Sequence, residues 1–93
     1  MVLLDLLGRR WALRVIWELR GDPLTSRALR EACDDVSPTV LQTRLAELRE
    51  AQIIDHARAS GYQLTALGRE LLTAVMPLYA FADRWARQTA PKA

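Results

Sequence analysis

One cysteine in 93 residues, Cys33, leaves nothing for an internal disulfide to pair with and no thiolate-rich metal site. One histidine, His56, beside that lone thiol offers no convergent set of groups for acid–base or nucleophilic chemistry, so the chain is not expected to be an enzyme. Asp34 and Asp35 read as turn formers rather than metal ligands, and His56 as a surface strand residue. No apolar run approaches the roughly 20 residues of a membrane span. The apolar start, Val2 to Leu7, is broken by Asp5 and has Arg9 and Arg10 on the wrong side for a signal peptide. These absences predict a soluble protein of a reducing cytoplasm with no membrane partner, no metal and no cofactor.

What is present is apolar and arginine-rich. Hydrophobic residues make up 51% of the chain, high for so small a domain, and the surplus apolar surface predicts a partner subunit. Twelve of the thirteen cations are arginine, the side chain suited to bidentate phosphate contacts. The net charge of +2 and pI near 9.2 permit nucleic-acid binding without requiring it.

The periodicity is helical nearly throughout. A short apolar turn over Val2 to Leu7 is followed by Gly8 and a helix from about Arg10 to Arg20, which ends at Gly21-Asp22-Pro23. Apolar residues cover most of this second helix, leaving only Arg14 and Glu18 on a polar face, so it is expected at the centre of the core. Thr25 can cap a short third helix from Ser26 to about Cys33; Asp34, Asp35 and Val36 then make a tight reversal. Ser37 and Pro38 open a fourth helix as N-cap and first helical residue, with Leu41, Leu45 and Leu48 as its core stripe. After Ala51 the period changes. Ile53 to Arg58 and Tyr62 to Thr65 are two short extended runs around Ala59-Ser60-Gly61, a hairpin signal in which only part of the ribbon packs inward.

Thr65 can cap the last helix, whose stripe Leu67, Leu71, Val75, Leu78, Ala82, Trp85 passes through Pro77 and predicts a kink or brief break there. Leu72, Met76 and Tyr79 form a second apolar flank, so one face can pack on the domain and the other on a second subunit. The expected organisation is one domain over residues 1–89, mostly α with a small β-hairpin (α+β), and a disordered tail at 90–93.

A helix, a short turn, a capped helix, a hairpin and a long helix, in that order, predict a winged helix-turn-helix. With the leucine stripe turned inward, Thr39, Thr43, Ala46 and Glu50 fall on the outward face of the fourth helix, with Gln42 and Arg49 on one flank and Val40 and Arg44 on the other. A small polar face suits a helix whose first turns meet base edges in a major groove of double-stranded DNA. Gln42 can pair with adenine, Thr39 and Thr43 can reach bases or phosphate, and Ser37 with the free N–H groups beside Pro38 can hold a phosphate oxygen. Arg58, near the hairpin tip, is placed for phosphate or minor groove. Between Ser37 and Arg58 the charges balance; the basic surplus lies earlier, in Arg9, Arg10, Arg27 and Arg30.

From Leu3 to about Trp85 the sequence resembles the HxlR-type winged-helix regulators, a branch close to the MarR-type proteins. The resemblance is carried by Asp5-Leu6-Leu7-Gly8-Arg9-Arg10-Trp11, by Ser37-Pro38 followed by Leu41, Arg44, Leu45 and Leu48, and by Leu64-Thr65-Ala66-Leu67-Gly68-Arg69. It implies a transcription regulator acting as a homodimer through its first and last helices, with two recognition helices on a palindromic operator. Ser37, Thr39, Gln42, Thr43 and Arg44 would then lie at the DNA, and Leu3, Leu4, Leu7, Leu72, Met76, Tyr79 and Trp85 at the dimer interface.

Two other readings stay open on the same scaffold. Trp11, Trp17, Tyr79 and Phe81 can line a pocket for a flat small-molecule effector, making the chain a ligand-binding or sequestering protein. A winged helix can also serve protein contacts alone.

Overall fold

The computed structural model describes residues 2–91. It runs α1 (Val2–Leu7), α2 (Ala12–Glu18), α3 (Ser26–Ala32), α4 (Pro38–Glu50), β1 (Ile54–Ala57), β2 (Gly61–Leu64) and α5 (Ala66–Thr89), with a 3-10 turn, Arg58–Ser60, joining the two strands. The architecture is mostly helical with a two-stranded antiparallel hairpin, a winged helix-turn-helix arrangement.

The core is built around α2. Ala12, Val15, Ile16 and Leu19 are fully buried, as the apolar circumference of this helix predicts. Leu29 and Cys33 close on it from α3, and Leu41, Leu45 and Leu48 from α4. Each buried leucine contributes about 1.5–3 kcal/mol, so this stripe determines which side of α4 faces out. The few polar groups of α2 are also used: Arg14 donates through Nη2 to the Ala32 carbonyl at 2.7 Å and through Nη1 to Asp34 Oδ2 at 3.4 Å, tying α2 to the end of α3. The α3–α4 turn reverses through Asp34 and Asp35, both left-handed at φ 56°, a conformation aspartate tolerates because its short side chain bonds locally. Arg30 Nε donates to the Val36 carbonyl at 3.0 Å and holds that turn closed.

The hairpin pairs Ile54 with Leu64, Asp55 with Gln63, His56 with Tyr62 and Ala57 with Gly61. Gly61 is therefore a strand residue, not part of the turn expected at Ala59-Ser60-Gly61. Its φ is +94°, and a Cβ there would lie 2.3 Å from the Leu24 carbonyl oxygen. The cause is a third backbone segment: Leu24 and Tyr62 exchange N–H···O bonds of 2.9 and 2.7 Å. This pair fastens the ribbon to the α2–α3 loop and so fixes it beside the helix-turn-helix.

Thr65 caps α5, its Oγ1 accepting from the Gly68 N–H at 2.9 Å and donating to the Gln52 carbonyl at 2.7 Å. The helix then continues through Pro77 to Thr89, so that of the expected kink or brief break the break does not occur and the helix is not lost. Proline deletes one N–H of the ladder, and a single lost link in 24 residues leaves the rest in register. Gln88 and Thr89 are helical, and of the tail expected at 90–93 only Ala90 and Pro91 lie within the described residues, both outside the helix.

α5 makes the molecule long. Its 24 residues span about 36 Å, and the chain measures 48 × 27 × 24 Å with a radius of gyration of 14.2 Å, against about 12.3 Å for a compact domain of this length. The accessible surface of 6554 Å² likewise exceeds the roughly 5400 Å² expected of a compact monomer of this mass.

The structure separates the two apolar stripes of α5. Gly68, Leu72, Val75 and Tyr79 turn toward the domain, buried or half-buried. Tyr79 Oη donates to the Leu13 carbonyl at 3.2 Å and its ring meets Trp17 at 5.1 Å. Leu72 and Tyr79, expected at a dimer interface, are thus already engaged within their own chain. The more open stripe is Leu67, Ala74, Leu78, Phe81 and Trp85, with the half-buried Leu71 in line with it, and in it Leu67, Leu78, Phe81 and Trp85 are 50–58% exposed. Leu3, Leu4 and Met76 are exposed as well, and Leu7 is half-buried.

Candidate nucleic-acid interface

Thr39, Gln42, Thr43 and Ala46 all lie on the exposed face of α4, and with Pro38 they line a shallow, open depression of about 510 Å³. Among the described residues no other element covers this face, because the leucine stripe and the turn before Ser37 hold α4 by its opposite side. Ser37 occupies the N-cap position and is exposed, but its hydroxyl makes no capping bond, which leaves it available to an external acceptor or donor. The Thr43 hydroxyl proton is used on the Thr39 carbonyl at 3.0 Å, so toward a partner Thr43 offers an acceptor. Gln42 borders both this depression and a second cleft, of about 320 Å³, between α3 and α4.

That second cleft supplies what the sequence reading left out. Ser26, Arg27 and Arg30 line it with Pro38, Leu41 and Gln42, and Glu31 and Asp35 border it as well. Arg27 is 91% exposed, and its ion pair to Glu31 at 3.6 Å is the kind of surface contact that contributes at most about 1 kcal/mol. Its guanidinium is accordingly free to turn toward an anion. The early arginine surplus was the visible signal; its position against the first turn of α4 required the fold.

Arg58 opens the exposed 3-10 turn at the wing tip, as expected. On the strand below, His56 is exposed and stacks on Tyr62 with centroids 4.6 Å apart. Arg44 is engaged within the chain. Its Nε donates to the Arg10 carbonyl at 2.9 Å and its Nη1 pairs with Glu47, so the side chain, 19% exposed, is turned away from the Thr39–Ala46 face. The reason is local: three residues along a helix bring Glu47 beside it, and the corner between α1 and α2 presents a carbonyl within reach.

The four aromatics expected to share a pocket do not converge. Trp17 and Tyr79 line a cleft of about 500 Å³ with Arg14, Ala82 and Asp83, whereas neither Trp11 nor Phe81 borders it. Trp11 lies beneath the Arg10 guanidinium at 5.2 Å, and Phe81 beneath that of Arg84 at 5.4 Å. Cys33 is fully buried, and burial pushes its thiol above the ordinary value, with Arg14 pulling it down and Glu18 and Asp34 pushing it up. A protonated thiol inside the core is a packing group, not a nucleophile. Among the described residues no cluster of His, Cys, Asp or Glu could hold a metal ion, and no helix is long and apolar enough to cross a membrane.

Comparison with known structures places this geometry. The chain is similar to quinone-bound YodB from B. subtilis, at 29% identity and a TM-score of 0.81, covering 89% of this chain and 92% of that one. It is also similar to a possible HxlR family transcriptional factor from Thermoplasma volcanium GSS1, at 23% identity and a TM-score of 0.83, covering 90% of this chain and 81% of that one. A likeness of fold alone extends to the activation domain of the phage T4 transcription factor MotA, at 15% identity and a TM-score of 0.66, over 87% of this chain and 85% of that one. A search of curated proteins gives no match. The HxlR-like helix-turn-helix family model matches residues 6–90, almost the whole chain, and the protein therefore belongs to that family of transcription regulators, which are not enzymes.

Proposed function

We propose that this regulator binds double-stranded DNA sequence-specifically, as a homodimer on a palindromic operator in the cytoplasm. The observation that carries the reading is the uncovered, small and polar outer face of α4. Thr39, Gln42, Thr43 and Ala46 are short enough to let the helix approach base edges, with Ser37 at its N-terminus. Arg27 and Arg30 on one side and Arg58 on the other supply cations for the flanking phosphates, which position the helix without reading sequence.

The more open stripe of α5 supports the dimer. Leu67, Leu71, Ala74, Leu78, Phe81 and Trp85 are spaced four, three, four, three and four residues apart, the heptad seam of helices that pack on one another. Beside it Val2, Leu3 and Leu6 of α1 form, with Leu67, Leu71 and Ala74, an apolar groove of about 470 Å³. Two copies joined there would present two recognition helices related by a two-fold axis, which is what a palindrome requires.

Gln42→Ala is expected to weaken operator binding by about 1–3 kcal/mol while leaving random duplex nearly unaffected, if the amide reads a base. Fluorescence anisotropy on both duplexes measures this, and an equal loss on the two would make Gln42 a backbone contact instead.

A second reading concerns a small-molecule effector. The Trp17–Tyr79 cleft falls within the size range of ligand sites and has two aromatic walls, and a relative with a similar structure has been solved with quinone bound. Titration with tetramethyl-1,4-benzoquinone, which has no free ring position for a thiol to attack, should quench tryptophan fluorescence saturably in the wild type and not in Tyr79→Ala. Linear quenching in both would count against this site.

A further inference from the structure

The least expected arrangement in the molecule is a knot of charge behind the recognition helix. Glu47 of α4 lies between two guanidiniums, Arg44 from its own helix and Arg9 from the corner joining α1 to α2. Arg44 reaches the same corner a second time, through Nε to the Arg10 carbonyl at 2.9 Å. The next residue, Trp11, has the left-handed φ of 78°, a conformation that persists in a bulky residue only where its surroundings impose it. Glu47 and Arg44 are each about 20% exposed, while Arg9 is 53% exposed, so the inner pair is shielded from solvent and the outer arm is not. The joined Arg9 and Glu47 also line a cleft of about 420 Å³ between α1 and α4, with Val2, Asp5 and Leu6 on its α1 side and Glu50 and Ala51 on the other.

We propose that Glu47 is a positioning residue for DNA binding, and that Arg44 acts through it as a strut and not as a DNA contact. The clasp Arg9–Glu47–Arg44–Arg10 carbonyl holds α4 at a fixed angle to α1, the helix that lines the dimer groove. In a dimer the angle between each α4 and its α1 determines the separation and orientation of the two recognition helices, and hence which half-site spacing fits. The proposal rests on the DNA-binding reading given above.

Its sign separates it from plain electrostatics. Glu47→Gln raises the net charge by one and frees two arginines, which by itself would tighten binding to any duplex. Loss of positioning instead weakens binding to the operator alone.

The test compares wild type, Glu47→Gln, Arg44→Gln and the double variant by anisotropy over a salt series. The probes are an operator selected from a random-sequence library by the wild-type protein, and a duplex of random sequence. Each single variant is expected to bind the operator about tenfold more weakly, with random duplex bound equally or more tightly by Glu47→Gln and with nearly unchanged affinity by Arg44→Gln. The double variant should be no weaker than the worse single one, because all three changes open one clasp. The slope of log affinity against log salt should stay at the wild-type value, since no phosphate contact is removed. Three results would overturn the proposal: operator binding unchanged in Glu47→Gln, equal losses on both duplexes, or a slope in Arg44→Gln smaller by about 0.9, the signature of a guanidinium on phosphate. If Glu47→Gln fails to fold by circular dichroism, Arg9→Gln removes only the exposed arm and should give the same pattern at smaller amplitude, its absence again overturning the clasp. A wild type that binds neither duplex defeats the DNA-binding reading and this one with it; a wild type that binds beside an indifferent Glu47→Gln defeats this one alone.

Discussion

Gly68→Ala is expected to destabilise the fold by about 4 kcal/mol or more, among the largest effects a single methyl can produce. Helix propensity alone argues the opposite, because alanine is favoured over glycine inside a helix by about 1 kcal/mol. The deciding fact is that a Cβ at position 68 would lie 2.0 Å from the Ile53 carbonyl oxygen, well inside van der Waals contact and against backbone, not against a flexible side chain. Nor can Ile53 withdraw easily. Its carbonyl accepts from the Thr65 N–H at 3.0 Å, and its buried side chain sits in the core between α4 and β1. The start of α5 and the segment joining α4 to β1 are thus in direct contact through a position that only glycine fits. Urea denaturation followed by circular dichroism should show the midpoint falling with an unchanged slope, the mark of altered stability rather than altered compactness. Gly21→Ala serves as the control, since nothing lies within 4 Å of the added carbon there, and it should leave the midpoint nearly unchanged. Equal stabilities for the two variants would mean that α5 does not approach Ile53 as described.

The second large effect is on assembly. Leu78→Glu is expected to convert the proposed dimer to monomer, weakening association at least about a hundredfold, because a two-fold interface contains each substituted residue twice and each copy would bury a charge without a partner. Leu78 is 55% exposed in the single chain, so the variant should keep the helical content and thermal stability of the protomer. Sedimentation equilibrium on the two proteins measures the change. Tyr79→Glu, one residue further, is predicted to act differently: it removes the bond to the Leu13 carbonyl and the contact with Trp17, and so lowers the stability of the chain itself. A Leu78→Glu protein that remained dimeric would contradict the seam.

Much of this architecture is legible in the residues. The leucines at 41, 45 and 48 recur at steps of four and three and are buried as that spacing requires, so the outward face of α4 follows from the sequence. Thr25 and Thr65 cap the helices they precede because a side-chain oxygen ahead of a helical run can accept from the orphan N–H groups of its first turn. Legibility fails where distant backbone segments meet. Gly61 has the appearance of a turn residue, but its role is to let Leu24 approach, and no local pattern announces a partner 37 positions away. The faces of α5 are a second case. Two apolar stripes on one helix look alike in sequence, and only the position of Trp17 and Leu13 determines that Tyr79 turns inward while Leu78 and Trp85 remain uncovered. Arg44 is the third. Its sequence neighbours place it on a flank of α4, but its bonds to Glu47 and the Arg10 carbonyl depend on a corner more than thirty residues earlier in the chain.

The account depends most on the outer face of α4 lying in a DNA groove with cations on either side. It is tested most directly by the affinity of the wild-type protein for a selected operator duplex, measured from about 50 to 200 mM salt. Log affinity should fall linearly with log salt, with a slope corresponding to several released counterions and a stoichiometry of two chains per duplex. No binding at the lowest salt, or binding whose strength does not change across the series, would contradict it.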